Sequence, residues 1–476
     1  MPASPSTARA INDRLALRLL QQEGPLTAGR LKQLTGLSRP TVADLVERLT
    51  AAGLIAVVGE AGEQRRGPNA KVYGIVADRA HLAALDVRTE GVAVAVADLV
   101  GRVLAEASVP IGGDIGTGPA VEQAVTLVER VAKEAGADRL HTVGIGAPGL
   151  VDPSSGELRD STGLPQWHRR LVSTLQERLP EARVSVENET NLAALAEQRD
   201  GVARDRDTFV LLWLGQGTGA AVVLDGALRR GASGGTGEIG FLPVPGTTAL
   251  PTSTDCEGGF HSLASSAAVV DLAAECGMPA TPDERTSAVG VVRAAVAVVR
   301  AAAAGAPGEE PAAHDAEGAA RPSGTGSPPP ALGGDAPTPG SPAPPLGGDT
   351  PVPGAGPRNP GAEAPPSPSP PPRPVPAARF LDALADRLAL GVASVVAILD
   401  PGCVVLGGEI GQAGGEDLAS RVRDRIARMT PLPTEVRATT LGGGAVLRGA
   451  LLTARNRAQE ELFAPGEPPP RPSPGW

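Results

Sequence analysis

Cysteine is scarce in this chain. Its 476 residues hold three, Cys256, Cys276 and Cys403, an odd and widely scattered set with no repeated short spacing. That argues against a disulfide framework and for a reducing compartment. No basic and apolar signal segment opens the sequence, and the longest apolar stretch, Ala288–Ala304, is interrupted by Arg293 and Arg300. A soluble helix is therefore expected there and not a membrane span, and with it a cytoplasmic protein without a membrane partner. Lysine occurs only at Lys32, Lys71 and Lys133, so arginine supplies every other basic position. That bias is compositional and says nothing of function. From about Gly305 to Pro376 large apolar side chains are few, and Pro, Gly, Ala and Ser dominate, with an imperfect repeat beginning at Leu332 and again at Leu346. Such a stretch cannot bury enough surface to offset its ordering entropy and is expected to be a disordered insert. The tail from Ala464 reads the same way.

What is present begins near the amino terminus, in the run Leu26–Leu54. Thr27 can cap a first helix whose inward face is Leu31 and Leu34, and Gly36 breaks it. Ser38 can cap a second helix that opens with Arg39-Pro40, where a missing N–H costs nothing. Val42, Leu45, Val46 and Leu49 form one apolar stripe at helical spacing, and Gly53 ends it. This is the pattern of a helix-turn-helix, whose second helix presents its first residues to base edges in the major groove. Ile11, Leu15 and Leu19, four apart, suggest a preceding helix that closes a three-helix core. After Leu54 a strand, a glycine-bounded turn with Arg65 and Arg66, and a second strand over Ala70–Val76 form a basic hairpin, the wing of a winged helix. The first 80 residues carry eleven Lys/Arg against seven Asp/Glu in a chain of net charge −10, so a basic head precedes an acidic body.

The body alternates strand and helix patterns. His81–Ala97 alternates as a strand, Arg102–Val109 can pair beside it, and Pro119–Ala135 reads as a helix. Val143–Leu150 is a buried strand running into a Gly-Pro-Gly turn. Arg183–Val186 leads through Glu187-Asn188-Glu189-Thr190-Asn191 into a helix over Leu192–Arg199. Phe209–Gly215 and Ala220–Leu224 flank the turn Gln216–Gly219, and Cys403–Leu406 ends at Gly407-Gly408. A layered α/β fold with its site at those strand ends is expected.

The segments VGIGAPGLVD (from Val143), VENETNLAALAE (from Val186), LGQGTGAAVVLDGALRRGASGGTGEIG (from Leu214) and VVLGGEIG (from Val404) follow one another in an order that resembles the ROK family of sugar kinases and sugar-responsive repressors. The resemblance covers all but the insert and the tail. It implies a two-lobed, actin-like ATPase fold behind the winged helix, and a homodimer or higher homo-oligomer on a pseudo-palindromic double-stranded DNA operator.

Departures from the kinase pattern are as informative. The phosphate loop, Asp-x-Gly-x-Thr in the family, is Asp86-Val87-Arg88-Thr89, with arginine at the glycine that lets backbone approach phosphate. The Asn-Asp pair that carries the general base is Asn188-Glu189; the added methylene moves the carboxylate by about 1 Å, a displacement that costs catalysis on the order of 100-fold. Among the implied hexose contacts Asn188 and Glu238 are kept, whereas Phe241, Gly163 and His261 replace a histidine, an asparagine and a glutamate. The family's zinc cluster is reduced to Cys256 out of register, five residues from His261, so neither metal nor other cofactor is expected.

These readings give the following expectations. The chain comprises a winged helix (residues 1–78), a ROK domain in two parts (79–304 and 377–463), an insert (305–376) and a tail (464–476). DNA contact falls to Ser38, Arg39, Thr41 and Asp44 on the second helix and to Arg65 and Arg66 on the wing. A small sugar-like effector falls to Asn188, Glu189, Glu238 and His261. A regulator, more specifically a repressor without catalytic residues, is the favoured function. The alternatives are an active sugar kinase and a regulator of this fold that senses a non-sugar ligand or a protein partner.

Overall fold

The computed structural model describes residues 5–61, 69–159, 164–278, 287–305 and 375–463. Arg65, Arg66 and Gly163, nearly all of the insert and the whole tail lie outside them. The two ends of the insert, Gly305 and Pro376, belong to helices.

Three helices and a small sheet form the head: α1 (Pro5–Glu23), β1 (Leu26–Thr27), α2 (Ala28–Thr35), α3 (Arg39–Ala51), β2 (Ile55–Ala61) and β3 (Ala70–Ile75). The caps are those the sequence requires. The Thr27 hydroxyl accepts from the Arg30 amide, and Gly36 ends α2 in the left-handed region at φ 70°. The Ser38 hydroxyl accepts from the Thr41 amide, with Pro40 in the first turn of α3. Val42, Leu45, Val46 and Leu49 are all buried. The inward face of α1 differs from expectation. Ala16, Leu17 and Leu20 are buried, whereas Ile11 is 57% and Leu15 38% exposed. Helix α1 packs against α2, α3 and β3 through this face, one position round the helix from the expected stripe, which leaves Ile11 and Leu15 turned outward.

The body holds two five-stranded sheets with the same plan. In the first lobe β4 (His81–Arg88), β5 (Gly91–Asp98) and β6 (Val103–Pro110) form an antiparallel meander, α4 (Thr117–Glu134) follows, and β7 (Leu140–Ala147) lies parallel to β4. Then α5 (Trp167–Arg178) leads to β8 (Arg183–Asn188), giving the order β6-β5-β4-β7-β8. The span from His81 to Ala97 is thus a hairpin and not one strand. Thr89-Glu90 turns the chain, and a Cβ on Gly91 would lie 2.8 Å from the Val109 carbonyl oxygen, so the second arm needs glycine where it starts.

The second lobe repeats the plan. After α6 (Glu189–Arg199) come β9 (Phe209–Leu214), β10 (Thr218–Leu224) and β11 (Ala227–Arg229), then α7 (His261–Ala264), α8 (Ser266–Glu275), α9 (Ala288–Gly305) and α10 (Pro376–Leu399). Next come β12 (Cys403–Gly407), α11 (Gly408–Met429, kinked at Gly415), β13 (Glu435–Ala438) and α12 (Ala445–Leu462). The sheet order is β11-β10-β9-β12-β13, with β9, β12 and β13 parallel. No helix among the described residues is long and apolar enough to cross a membrane.

Strand alternation divides the burial into three cores. Ala83, Leu85 and Val87 face α4 and α5 on the outside of the first sheet. Val210, Leu212, Val404 and Leu406 face α10 and α11 on the outside of the second. Leu82, Ala84, Phe209, Leu211 and Val405 face inward onto α6 and α12, and this inner core continues without a break into Leu17, Leu45 and Ile55 of the head. Two further ties join the head to the body: Gln21 donates to the Val100 carbonyl at 3.1 Å, and Gln459 of α12 donates to the Gln21 side chain at 2.8 Å.

Candidate functional site

On the head, the expected DNA contacts differ in freedom. Arg39 and Ser38 are exposed at the start of α3. Ser38 is committed to its cap and shares a 2.8 Å hydrogen bond with the Thr41 hydroxyl. Asp44 pairs with Arg48, which also reaches Asp13 of α1 at 2.6 Å, so Asp44 is held to the helix surface. Among the described residues Arg39 has no ion pair, which leaves its guanidinium available to a base edge.

In the body, a cavity of about 940 Å³ opens at the ends of β4 and β9. Asp86, Arg88 and Thr89 line it from the first lobe, the Gly215–Gly217 turn, His261 and Glu409 from the second, and Glu189 from the start of α6. Arg88 spans the lobes. Its Nη1 donates to Glu409 at 2.6 Å, its Nε to Asp86 at 2.9 Å and its Nη2 to the Gly443 carbonyl at 2.8 Å. Desolvation opposes the charge of Arg88, but the two carboxylates outweigh it and raise its pKa further. Beside it the Thr89 hydroxyl donates to Gln216 at 2.9 Å, a second link between lobes. Glu409 escaped sequence reasoning because it lies 321 residues from Arg88; the glycine pair before it was the visible signal.

The four expected effector residues divide. Asn188, the last residue of β8, is the N-cap of α6. Its Oδ1 accepts from the Thr190 and Asn191 amides, and its Nδ2 donates to the Gly149 carbonyl and to Glu189, both at 3.1 Å. The helix thus starts at Glu189 and not at Leu192, and the capping group is the asparagine. Glu189 faces the cavity, and burial of its carboxyl, with Glu238 and Asp86 adding like charge, pushes its pKa up to about 8. It is mostly protonated at neutral pH and donates or accepts as a neutral acid. Glu238 is close enough to act on Glu189 but does not line the cavity itself. Gly237 aims it: at φ 90° a Cβ there would lie 1.9 Å from the Ala220 carbonyl oxygen, so no other residue fits. His261 lines the cavity, half-buried, and burial lowers its pKa against the opposing charge of Asp255, which favours the neutral imidazole. Phe241, which is 37% exposed, offers no hydrogen bond.

For a group whose folded pKa is raised above its unfolded value, stability is full below the unfolded pKa and falls as pH rises toward the folded one. Glu189 therefore costs stability between about pH 4.5 and pH 8, at most about 1.4 kcal/mol per pH unit and less for a partly solvated cavity. Glu189→Gln is expected to flatten the fall in urea midpoint between pH 6 and pH 9. Parallel curves for both proteins would show that this carboxyl is not held protonated.

The zinc stretch brings no cluster together. Among the described residues no group of three or more His, Cys, Asp or Glu side chains is placed to hold a metal ion, and Cys256 is a free thiol.

Comparison with known proteins agrees with this layout. The ROK family model matches residues 82–299, and the MarR family model matches residues 11–67. A xylose repressor of Caldicellulosiruptor bescii is 26% identical over 242 residues, which are 50% of this chain and 59% of the relative. The match thus spans about three fifths of that relative's length. A crystal structure of a ROK family transcriptional regulator, a homologue of the E. coli MLC protein, superposes with TM-score 0.63 at 19% identity, covering 96% of this chain and 98% of the other. The ROK hexokinase of Thermus thermophilus shares the fold at TM-score 0.51 and 23% identity, over 80% of this chain and 99% of its own. The chain carries a ROK family domain preceded by a winged helix of the MarR type.

Proposed function

We propose that this protein is a DNA-binding transcriptional regulator, a repressor, whose ROK domain binds a small sugar-like effector and does not phosphorylate it. The observation that carries the reading is Arg88. It stands at the phosphate-loop glycine and spends its guanidinium on Asp86, Glu409 and the Gly443 carbonyl, closing the lobes where nucleotide phosphates need bare backbone. Glu189 adds to it, because a carboxyl with a pKa near 8 is mostly protonated at pH 7 and a poor general base there. The intact caps of α3 and the free Arg39 support the DNA-binding half, as does the likeness to a xylose repressor.

The proposed route from effector to DNA is helix α6 with α12. Helix α6 starts at Glu189 in the cavity and ends, about 16 Å further on, at Arg199 beneath the head. It packs backbone to backbone on α12, where a Cβ on Gly449 would lie 2.0 Å from the Leu192 carbonyl oxygen. Helix α12 starts beside Gly443, which Arg88 holds, and carries Gln459 to the head. A ligand that changes the Arg88 tie between the lobes shifts this pair, and the pair carries α1 with it. In a homodimer such a shift resets the spacing of the two recognition helices against two operator half-sites.

The test sets the two functions side by side. Nucleotide consumption is followed with ATP and a panel of pentoses and hexoses, while DNase footprinting follows binding to the DNA upstream of the gene. The expected result is a footprint that one sugar weakens or strengthens, with no sugar-dependent ATP turnover. Sugar-dependent turnover at enzyme-like rates would overturn the reading in favour of a kinase.

A further inference from the structure

A second cleft, of about 910 Å³, lies between the head and the body. Helix α1 lines one wall with Arg14 and Arg18, and the ends of α6 and α12 line the other with Arg199 and Arg455. Among the described residues none of these four arginines has an ion-pair partner. The acids of the cleft do not balance them, because Asp200 is already held by Arg448 at 2.6 Å and only Glu460 remains.

Arg455 is the most informative of the four. Its stem packs against the bare backbone of Gly101, where a Cβ would lie 3.2 Å from Cδ, and its Nε is shut off from solvent with no hydrogen-bond acceptor. A guanidinium cannot shed its proton to relieve that burial. Desolvation, with Arg448 and Arg199 nearby, moves its pKa down by more than Asp200 raises it. A half-buried guanidinium with no acid partner of its own among the described residues, beside three further unpaired arginines, makes the cleft suited to an anion. Bidentate forks and the polar amides of Gln22 and Asn456 suit phosphate oxygens and hydroxyls, and Phe463 adds an apolar residue to the lining.

We infer that this cleft is a binding site for a small phosphorylated molecule, separate from the sugar-like effector cavity, that ties the DNA-binding head to the ROK domain. Its phosphate bridges Arg18 of the head and Arg455 and Arg199 of the body, so its binding fixes the orientation of α1 over α12. It is a second input, set by a charged metabolite, to the same head.

Inorganic pyrophosphate is the probe, since it has no sugar to enter the other cavity. Calorimetric titration of the full chain at fixed ionic strength is expected to give saturable binding at about one site per protomer, with sulfate far weaker. Arg455→Met and, independently, the surface change Arg18→Gln are each expected to weaken it tenfold or more, and Glu189→Gln to leave it unchanged. Binding that both arginine variants retain, or that sulfate matches, would overturn the proposal. So would a loss confined to DNA affinity in Arg14→Gln and Arg18→Gln, with pyrophosphate binding intact, because the arginines would then serve the DNA backbone.

Discussion

Arg39→Ala is expected to lower the ratio of specific to non-specific DNA affinity by about 10- to 100-fold, the 1–3 kcal/mol that a bidentate contact to a guanine edge contributes. Arg39 is exposed in the first turn of α3, whose orientation is fixed by the Ser38 cap and by four buried residues on the opposite face. Removing its side chain leaves that scaffold intact, so the melting temperature stays within a degree or two. The effect belongs to base reading and not to charge alone. Specific affinity at fixed salt therefore falls much further than non-specific affinity, while Arg39→Lys keeps the charge but loses the fork and most of the discrimination. Equal losses on operator and scrambled DNA would mean that Arg39 touches only phosphate and that α3 docks in another register.

Gly449→Ala is expected to destabilise the protein by several kcal/mol, enough to abolish most soluble expression. The added methyl would lie 2.0 Å from the Leu192 carbonyl oxygen, and neither α6 nor α12 can yield without displacing the inner core. Gly118→Ala in α4 is the matched control. Nothing lies within 4 Å of a Cβ there, so the exchange is neutral or stabilises by up to about 1 kcal/mol. Chemical denaturation of both variants checks the pair. A Gly449→Ala protein as stable as wild type would show that α6 and α12 do not pack this closely and would remove the proposed route between effector and head.

The parts of this molecule that local chemistry dictates were legible in the sequence. Thr27, Gly36 and Ser38 do what their side chains and backbone freedom require, and the Val42–Leu49 stripe is buried as its spacing demands. The α1 stripe misled because a four-residue spacing of large side chains marks an apolar face without saying what covers it. The face actually buried carries Ala16, Leu17 and Leu20, one position round the helix from the large side chains that marked the stripe. The same limit applies in the cavity. Arg88 stood out as a departure from a glycine, yet its partners Glu409 and Gly443 come from the far end of the chain. Asn188 reads as a ligand contact, and its amide also caps α6, a second use that only the third dimension reveals.

The most direct test of the central claim is the DNA affinity of the full chain at fixed salt, on the footprinted upstream sequence and on a scrambled duplex of equal length. The account predicts a preference of at least about 10³-fold for the footprinted sequence, in the range of specific regulators, and its reduction by one sugar. Equal affinity for both duplexes, with or without sugar, would contradict it.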